Sequence, residues 1–65
     1  MTRREELSIR VEALTEWLVM KYEQFQSEEI NEHIFTLALS FTEEKFSEIK
    51  AEMAVIEMLE EINMN

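Results

Sequence analysis

The sequence predicts an all-α protein in which three helices, long, short and long, form a small homodimer. Gly, Pro, Cys and Asp are missing from the 65 residues, whereas Glu occurs 15 times, so helix-ending residues are absent and a good helix former is abundant. Apolar residues also recur with helical spacing. A single domain over residues 1–65 buries only about 60% of its chain surface, and such a chain without disulfides commonly relies on a second subunit.

Capping residues mark where the three predicted helices begin. Thr2 is followed by Glu5 with the spacing of a capping box, in which the Thr hydroxyl and the Glu carboxylate each accept a hydrogen bond from a backbone N–H. Ser27 and Thr42 are each followed by two Glu residues, which would lie at the positive end of a helix dipole. We therefore predict helices over residues 3–25, 28–40 and 43–62.

The first predicted helix has two apolar stripes. Residues at steps of three and four form the main stripe: Leu7, Val11, Leu14, Leu18, Tyr22 and Phe25. A second stripe lies more than a right angle away and consists of Ile9, Ala13, Trp17 and Met20. A helix with two apolar stripes needs two packing partners, so the second stripe favours an additional chain.

The third predicted helix changes its apolar face halfway along, by a rotation of roughly 150°. Its first half presents Phe46, Ile49, Met53 and Ile56. Its second half presents Val55, Met58, Leu59 and Ile62. One short middle helix cannot cover both sets, which indicates a homodimer. We predict that six apolar residues form an interface with the second subunit or with another partner: Trp17, Met20, Val55, Met58, Leu59 and Ile62.

The segment from Ile34 to Phe41 fits two periods. Its apolar residues follow helical steps, and they also alternate with the period of a β-strand. A strand here would pair across a dimer axis, and such a strand followed by Thr42 and two Glu residues resembles the ribbon-helix-helix repressors. The resemblance covers only this stretch and lacks the Gly-containing turn of that family. It would imply a transcription factor, whereas the cap at Ser27 favours a helix.

Negative charge is concentrated after residue 26. Residues 1–25 have a net charge of −1, whereas residues 26–65 combine two Lys with ten Glu for a net charge of −8. Such an acidic surface either keeps a small protein in solution or attracts a basic partner over long range. We predict partner-binding carboxylates in two groups: Glu28, Glu29 and Glu32, and Glu44, Glu48 and Glu52.

The sequence provides little for catalysis, metal binding or nucleic-acid binding. His33 is the only imidazole and there is no thiol, so we expect no metal, no cofactor and no enzymatic activity. A protein with a net charge of −9 lacks the basic surface that binds phosphates, so we expect no direct contact with nucleic acid or membranes. Residues 1–6 do not begin a secretory signal, and we expect a cytoplasmic protein.

Together these features predict a small acidic regulator of bacterial or phage type, an inhibitor or anti-repressor, that binds a basic surface of a partner protein. That surface would be one that otherwise binds nucleic acid, so that the carboxylates imitate the phosphates of DNA and influence transcription. The first alternative is a structural or assembly subunit that binds a larger complex through its apolar helix faces. The second is a transcription factor similar to the ribbon-helix-helix repressors.

Overall fold

The computed structural model describes residues 1–64, which form a hairpin of two antiparallel helices. Helix α1 comprises Arg3–Gln26, and helix α2 comprises Glu32–Met64. The hairpin measures 54 by 20 by 12 Å. The prediction of an all-helical fold is confirmed, but the prediction of three helices is wrong, because residues 28–40 and 43–62 do not form separate helices.

The predicted break before the third helix does not exist. Thr42 lies inside α2, where its side chain is buried and its hydroxyl donates a hydrogen bond to the carbonyl oxygen of Ala38 at 2.9 Å. A buried hydroxyl needs an acceptor, and the carbonyl one turn earlier supplies it without interrupting the helix. The strand alternative is also wrong, since residues 34–41 are helical, and the ribbon-helix-helix interpretation therefore loses its structural premise.

The predicted helix start at Ser27 is the end of α1. The N–H of Glu28 donates a hydrogen bond to the carbonyl of Phe25 at 3.1 Å. The N–H of Glu29 donates to the carbonyl of Gln24 at 2.8 Å. This is the Schellman arrangement, which places the residue after the cap in the left-handed region. Glu28 takes that conformation, with a φ of 62°, although Gly is the residue usually found there.

Helix α2 begins after Asn31 instead. The side-chain oxygen of Asn31 accepts a hydrogen bond from the N–H of Ile34 at 2.9 Å, and its backbone carbonyl accepts one from Phe35 at 3.1 Å. Asn is among the most favourable capping residues at a helix start. The cap predicted at Thr2 is confirmed on its hydroxyl side, because Thr2 Oγ1 accepts a hydrogen bond from the N–H of Glu5 at 3.2 Å.

The two helices pack along one seam. Steps of three and four residues separate the seam residues of α2, which include Phe35, Ala38, Thr42, Ile49 and Ile56. Near the turn, Phe25 of α1 stacks on Phe35 with ring centroids 4.9 Å apart. Among residues 1–63, whose side chains are described, the buried hydrophobic residues are Leu7, Ala38 and Ile49. The seam therefore encloses a small core and leaves much apolar surface uncovered.

Ion pairs connect the start of α1 to α2. Arg3 donates two hydrogen bonds to the carboxylate of Glu52, at 2.5 Å from Nε and 3.0 Å from Nη2. Arg4 lies 2.9 Å from the carboxylate of Glu60. Because α1 begins beside Glu52, the last residues of α2 extend beyond α1, and Val55 and Ile62 are more than half exposed there.

Candidate protein-binding surfaces

The two broad sides of the hairpin differ in composition. The residue before each seam residue lies about 100° around the helix from the seam, on one of these sides. On α2 such residues recur at alternating steps of three and four, and all are exposed: Ile34, Leu37, Phe41, Glu44, Glu48, Ala51, Val55, Met58 and Ile62. The corresponding residues of α1 are Arg10, Ala13, Trp17 and Met20. We call this side, with the neighbouring Leu59, the apolar face.

A contact between Trp17 and Phe41 places the α1 and α2 stripes on the same side of the hairpin. Their ring centroids are 5.6 Å apart in an edge-to-face arrangement. The opposite side, the polar face, has fewer large exposed apolar residues and carries these charged and hydroxyl residues: Ser8, Glu12, Thr15, Thr36, Glu43, Lys50 and Glu57. Val19, Tyr22 and Leu39 are exposed on the polar face, and Phe46 and Met53 are half-buried there. Most of the large exposed apolar side chains nevertheless belong to the apolar face.

The apolar face has two hydrophobic ends and a charged middle. The end near the turn contains Trp17, Met20, Ile34, Leu37 and Phe41. The far end contains Val55, Met58, Leu59 and Ile62. The charged middle contains Arg10, Glu44 and Glu48, together with Lys45, which is half-buried at the adjoining seam position and lies 3.5 Å from Glu48. Two positive and two negative side chains thus separate two hydrophobic patches.

A groove of about 420 Å³ runs between the helices at the charged middle. Leu7, Leu14 and Ile49 contribute apolar walls to this groove. Arg10 and Lys45 also line it. The groove could therefore receive an apolar side chain from a partner while its charged residues pair with the partner's opposite charges.

The six apolar residues predicted for an interface do not meet within one chain. Trp17 and Met20 lie at the end near the turn, whereas the other four lie at the far end. Trp17 is half-buried against Phe41, and the Lys21 ammonium is 5.6 Å from its ring centroid. Met20 and the four residues of the far end are exposed. The predicted residues therefore share a face but occupy its opposite ends.

The turn forms a second candidate surface, the acidic tip, which consists of Phe25 and residues 28–34. Glu28, Glu29 and Glu32 are exposed, and within residues 1–64 no ion pair joins them to a basic side chain. A hollow of about 470 Å³ lies beside them. The hollow is lined by Phe25, Glu28, Glu29, Ile30, Asn31 and Ile34. It thus combines apolar walls with two carboxylates.

The second predicted acidic group is partly neutralised inside the chain. Glu52 is half-buried, and the hydrogen bond from Arg3 lowers the pKa of its carboxyl below the ordinary value of 4.5. Hydrogen bonds to Glu52 and Glu6 in turn raise the pKa of Arg3. Glu48 lies 3.5 Å from the ammonium of Lys45. Of the two groups, the tip carboxylates are therefore the more available to a partner.

The sequence did not identify the apolar part of the acidic tip. The predicted helix starting after Ser27 places Ile30 in a helix interior and gives it no role. The sequence also does not place Arg10 and Lys45 beside the exposed apolar residues, because that position depends on how α1 packs against α2.

His33 is exposed in the first turn of α2. Within the part of the chain that the structure describes, no three His or Glu side chains lie close enough to hold a metal ion. Over the same residues, neither helix combines the length with the apolar content that crossing a membrane requires. The candidate surfaces are thus two: the acidic tip and the apolar face.

Comparison with protein-family models, with curated proteins and with solved structures gave no match to this chain. The function is therefore argued from the two surfaces alone.

Proposed function

We propose that this chain is a small cytoplasmic binding protein, not an enzyme, that inhibits a partner by docking its acidic tip on a basic surface. The observation that carries the proposal is the hollow at the tip, where Glu28 and Glu29 stand beside the apolar walls of Phe25 and Ile30. A partner surface that otherwise binds nucleic acid would be blocked by this contact. In a bacterium or phage, such a protein would act as an anti-repressor or a related regulator of transcription.

The chemistry of the hollow suits a Lys or Arg side chain of the partner. These side chains have a long apolar stem and a charged head, and they bury the stem while the head remains at a polar edge. The stem would contact Phe25, Ile30 and Ile34, and the head would reach the carboxylates of the rim. Hydrogen bonds between oppositely charged groups are stronger than those between neutral groups, which favours a cationic ligand.

The helix end fixes where Glu28 lies. The Schellman bonds put Glu28 in the left-handed region with a φ of 62°, a conformation that costs a residue other than Gly about 1 kcal/mol or more. This turn places Glu28 among the residues that line the hollow.

The charge distribution would assist the encounter with a basic partner. Residues 26–65 have a net charge of −8, from two Lys and ten Glu, and both the tip and α2 belong to this part. A field of one sign accelerates association with a partner of the opposite sign and weakens as salt increases. Steep salt dependence is therefore an expected property of partner binding.

The test uses octa-arginine as a probe, with affinity measured by isothermal titration calorimetry at low salt. Replacing Glu28, Glu29 and Glu32 together by Gln should weaken binding by about tenfold or more, because the rim loses its charges. A matched control replaces Glu12, Glu16 and Glu57 by Gln. Both variants have a net charge of −6, that is −9 plus three. Equal losses in the two variants would contradict a specific role of the tip.

A second candidate function is that of an assembly subunit that binds protein through the apolar face. Its support is the exposure of that face, on which Leu37, Met58 and Ile62 are each more than half exposed. Large contiguous apolar patches on soluble proteins mark protein contacts. Binding through such a patch should persist in high salt, whereas docking of the acidic tip should not, so a salt titration separates the two candidates.

A further inference from the structure

We infer that the apolar face binds a second copy of this chain in antiparallel orientation, so that two hairpins form a four-helix bundle. The inference rests on the second candidate function, in which the apolar face binds protein, and it names the partner. It is independent of what the acidic tip binds. Four observations support it: the angle between two stripes, the spacing of the hydrophobic ends, the unequal lengths of the two helices and the available area.

The angle between the stripes fits a bundle of four helices. In such a bundle each helix packs against two neighbours, which lie roughly at right angles as seen along the helix axis. On α2 the seam and the exposed stripe are one residue apart, which corresponds to about 100° on a helix. Each stripe keeps steps of three and four along its length, so this angle is maintained from Ile34 to Ile62. A single hairpin uses only the first of these stripes.

The hydrophobic ends are symmetric about Glu48. Ile34 and Ile62 are each 14 residues from it, and Phe41 and Val55 are each seven residues from it. A two-fold axis near Glu48 would therefore place Ile34 against Ile62 of the partner subunit. The same axis would place Phe41 against Val55 of the partner subunit. Each hydrophobic end would then cover the other, and the extension of α2 beyond α1 would be packed.

The same arrangement unites the six residues predicted for the interface. Trp17 contacts Phe41, so it lies at the level of α2 that would face the partner subunit's Val55. Met20 is one turn nearer the acidic tip, at the level that would face the partner subunit's Met58. Residues that lie at opposite ends of the apolar face in one chain would therefore become neighbours in the dimer.

The unequal lengths of the two helices favour the antiparallel orientation. In a two-fold dimer that joins the apolar faces, a parallel arrangement lays α2 over the partner subunit's α1. Each α1 begins beside Glu52, so Val55 and Ile62 would then face no helix directly. The antiparallel arrangement lays α2 over the partner subunit's α2 and covers both residues. It also brings the two copies of Glu48 together and the two copies of Arg10 together, and each Glu48 has Lys45 at 3.5 Å in its own chain.

The face is large enough for a stable dimer. The broad side of the hairpin fits within a rectangle of 54 by 20 Å, an upper bound of about 1,080 Å² because α1 is shorter than α2. A standard interface between proteins buries about 800 Å² on each partner. The seam buries few hydrophobic residues, and a chain of this size gains much of its stability from a second subunit. A second copy would supply the missing apolar contacts.

The experiment introduces single cysteines into a chain that has none. Glu48→Cys lies near the proposed axis, and its control, Lys50→Cys, lies on the polar face of the same helix. Under mild oxidation, Glu48→Cys should form a covalent dimer about tenfold faster than Lys50→Cys, since pairing raises the local thiol concentration. Mixing Ile34→Cys with Ile62→Cys should give a cross-linked pair, whereas Ile34→Cys alone should not. Sedimentation of the unmodified chain should give about 15.6 kDa, twice 7.8 kDa.

Three results would overturn the inference. Sedimentation of a 7.8 kDa species at about 100 µM would exclude a dimer with a dissociation constant below that concentration. Cross-linking of Ile34→Cys to itself would indicate a parallel dimer. Faster cross-linking of Lys50→Cys would place the contact on the polar face. If the chain is monomeric but its apolar face still binds another protein in high salt, the dimer is contradicted and the second candidate function is supported. Octa-arginine binding reports on the tip separately.

Discussion

The acidic tip and the apolar face are built by different means and are suited to different partners. The tip depends on local backbone geometry, because the Schellman bonds and the left-handed residue Glu28 hold its carboxylates. The apolar face depends on a repeated spacing along two helices. Within residues 1–64 the tip carboxylates form no ion pair, whereas Lys45 pairs with Glu48 in the charged middle of the apolar face. The tip therefore suits a partner of opposite charge, and the face suits a partner with the same pattern as its own.

The largest expected effect is on the dimer. Leu37→Glu should weaken dimerisation by about 100-fold or more, because each dimer would then bury two carboxylates without partners. Leu37 is 56% exposed in the hairpin, so the monomer should keep its helical content. Leu39→Glu is the matched control, since Leu39 is 40% exposed on the polar face. Sedimentation equilibrium measures dimerisation, and circular dichroism measures helical content. Equal loss of dimer in both variants would contradict the assignment of the dimer contact to the apolar face.

A salt titration should separate the tip from the face. Raising sodium chloride from about 0.05 to 0.5 M should weaken octa-arginine binding by about tenfold or more, since exposed charges are screened. The dimer should become tighter or remain unchanged, because two subunits of net charge −9 repel each other less in high salt. Calorimetry and sedimentation at the same salt concentrations provide the comparison. If salt weakened both associations to a similar extent, charge and not apolar contact would hold the dimer.

A single substitution at the tip should separate stability from binding. Glu28→Gly should raise the free energy of unfolding by up to about 1 kcal/mol, because Gly adopts the left-handed conformation without a steric penalty. The same change should weaken octa-arginine binding, because it removes a rim carboxylate. Glu28→Gln removes the charge and retains the strain, so it should lose binding without gaining stability. Thermal unfolding at one protein concentration measures the stability of each variant, and calorimetry measures its octa-arginine binding. Unchanged binding by Glu28→Gly would refute the role of this carboxylate.

The smallest expected effect concerns the pair between Arg3 and Glu52, a residue that lines the groove at the charged middle. Arg3 holds the pKa of Glu52 below its ordinary value, so the pair stabilises the fold above that value and loses this contribution as pH falls through the lowered pKa. Glu52→Gln should therefore lower the melting temperature at pH 7 and make little difference at strongly acidic pH. Glu57→Gln, on the polar face, provides an exposed control. A melting difference that did not change with pH would mean that the pair contributes no charge-dependent stability.

The helical class follows from the sequence, but the number of helices does not, and Thr42 shows why. Thr2 and Thr42 are both followed by Glu residues, and only Thr2 caps a helix. Thr42 lies on the seam, where burial turns its hydroxyl to the carbonyl of Ala38. Which of two similar capping patterns is used depends on packing against α1, and a local pattern contains no information about that packing.

The sequence does not predict the turn between α1 and α2 for a related reason. Chains usually mark a helix end with Gly, and this chain has none, so the left-handed position at Glu28 gave no signal. Asn31 caps α2, whereas the sequence favours Ser27 because two Glu residues follow it. Glu28, Glu29 and Glu32 are exposed, as their residue type indicates, and their role in binding stays a prediction. The hollow beside them depends on how the turn brings Phe25 and Ile30 together, and only the structure defines it.

Tip binding and dimerisation are tested together by an amide chemical-shift map of the ¹⁵N-labelled chain during titration with octa-arginine. Shifts should concentrate at Phe25 and residues 28–34, and the charged middle of the apolar face should be unaffected because the second subunit covers it. Shifts centred on Glu44 and Glu48 would contradict this prediction, since they would mean that the basic probe binds the apolar face and that this face is open in solution.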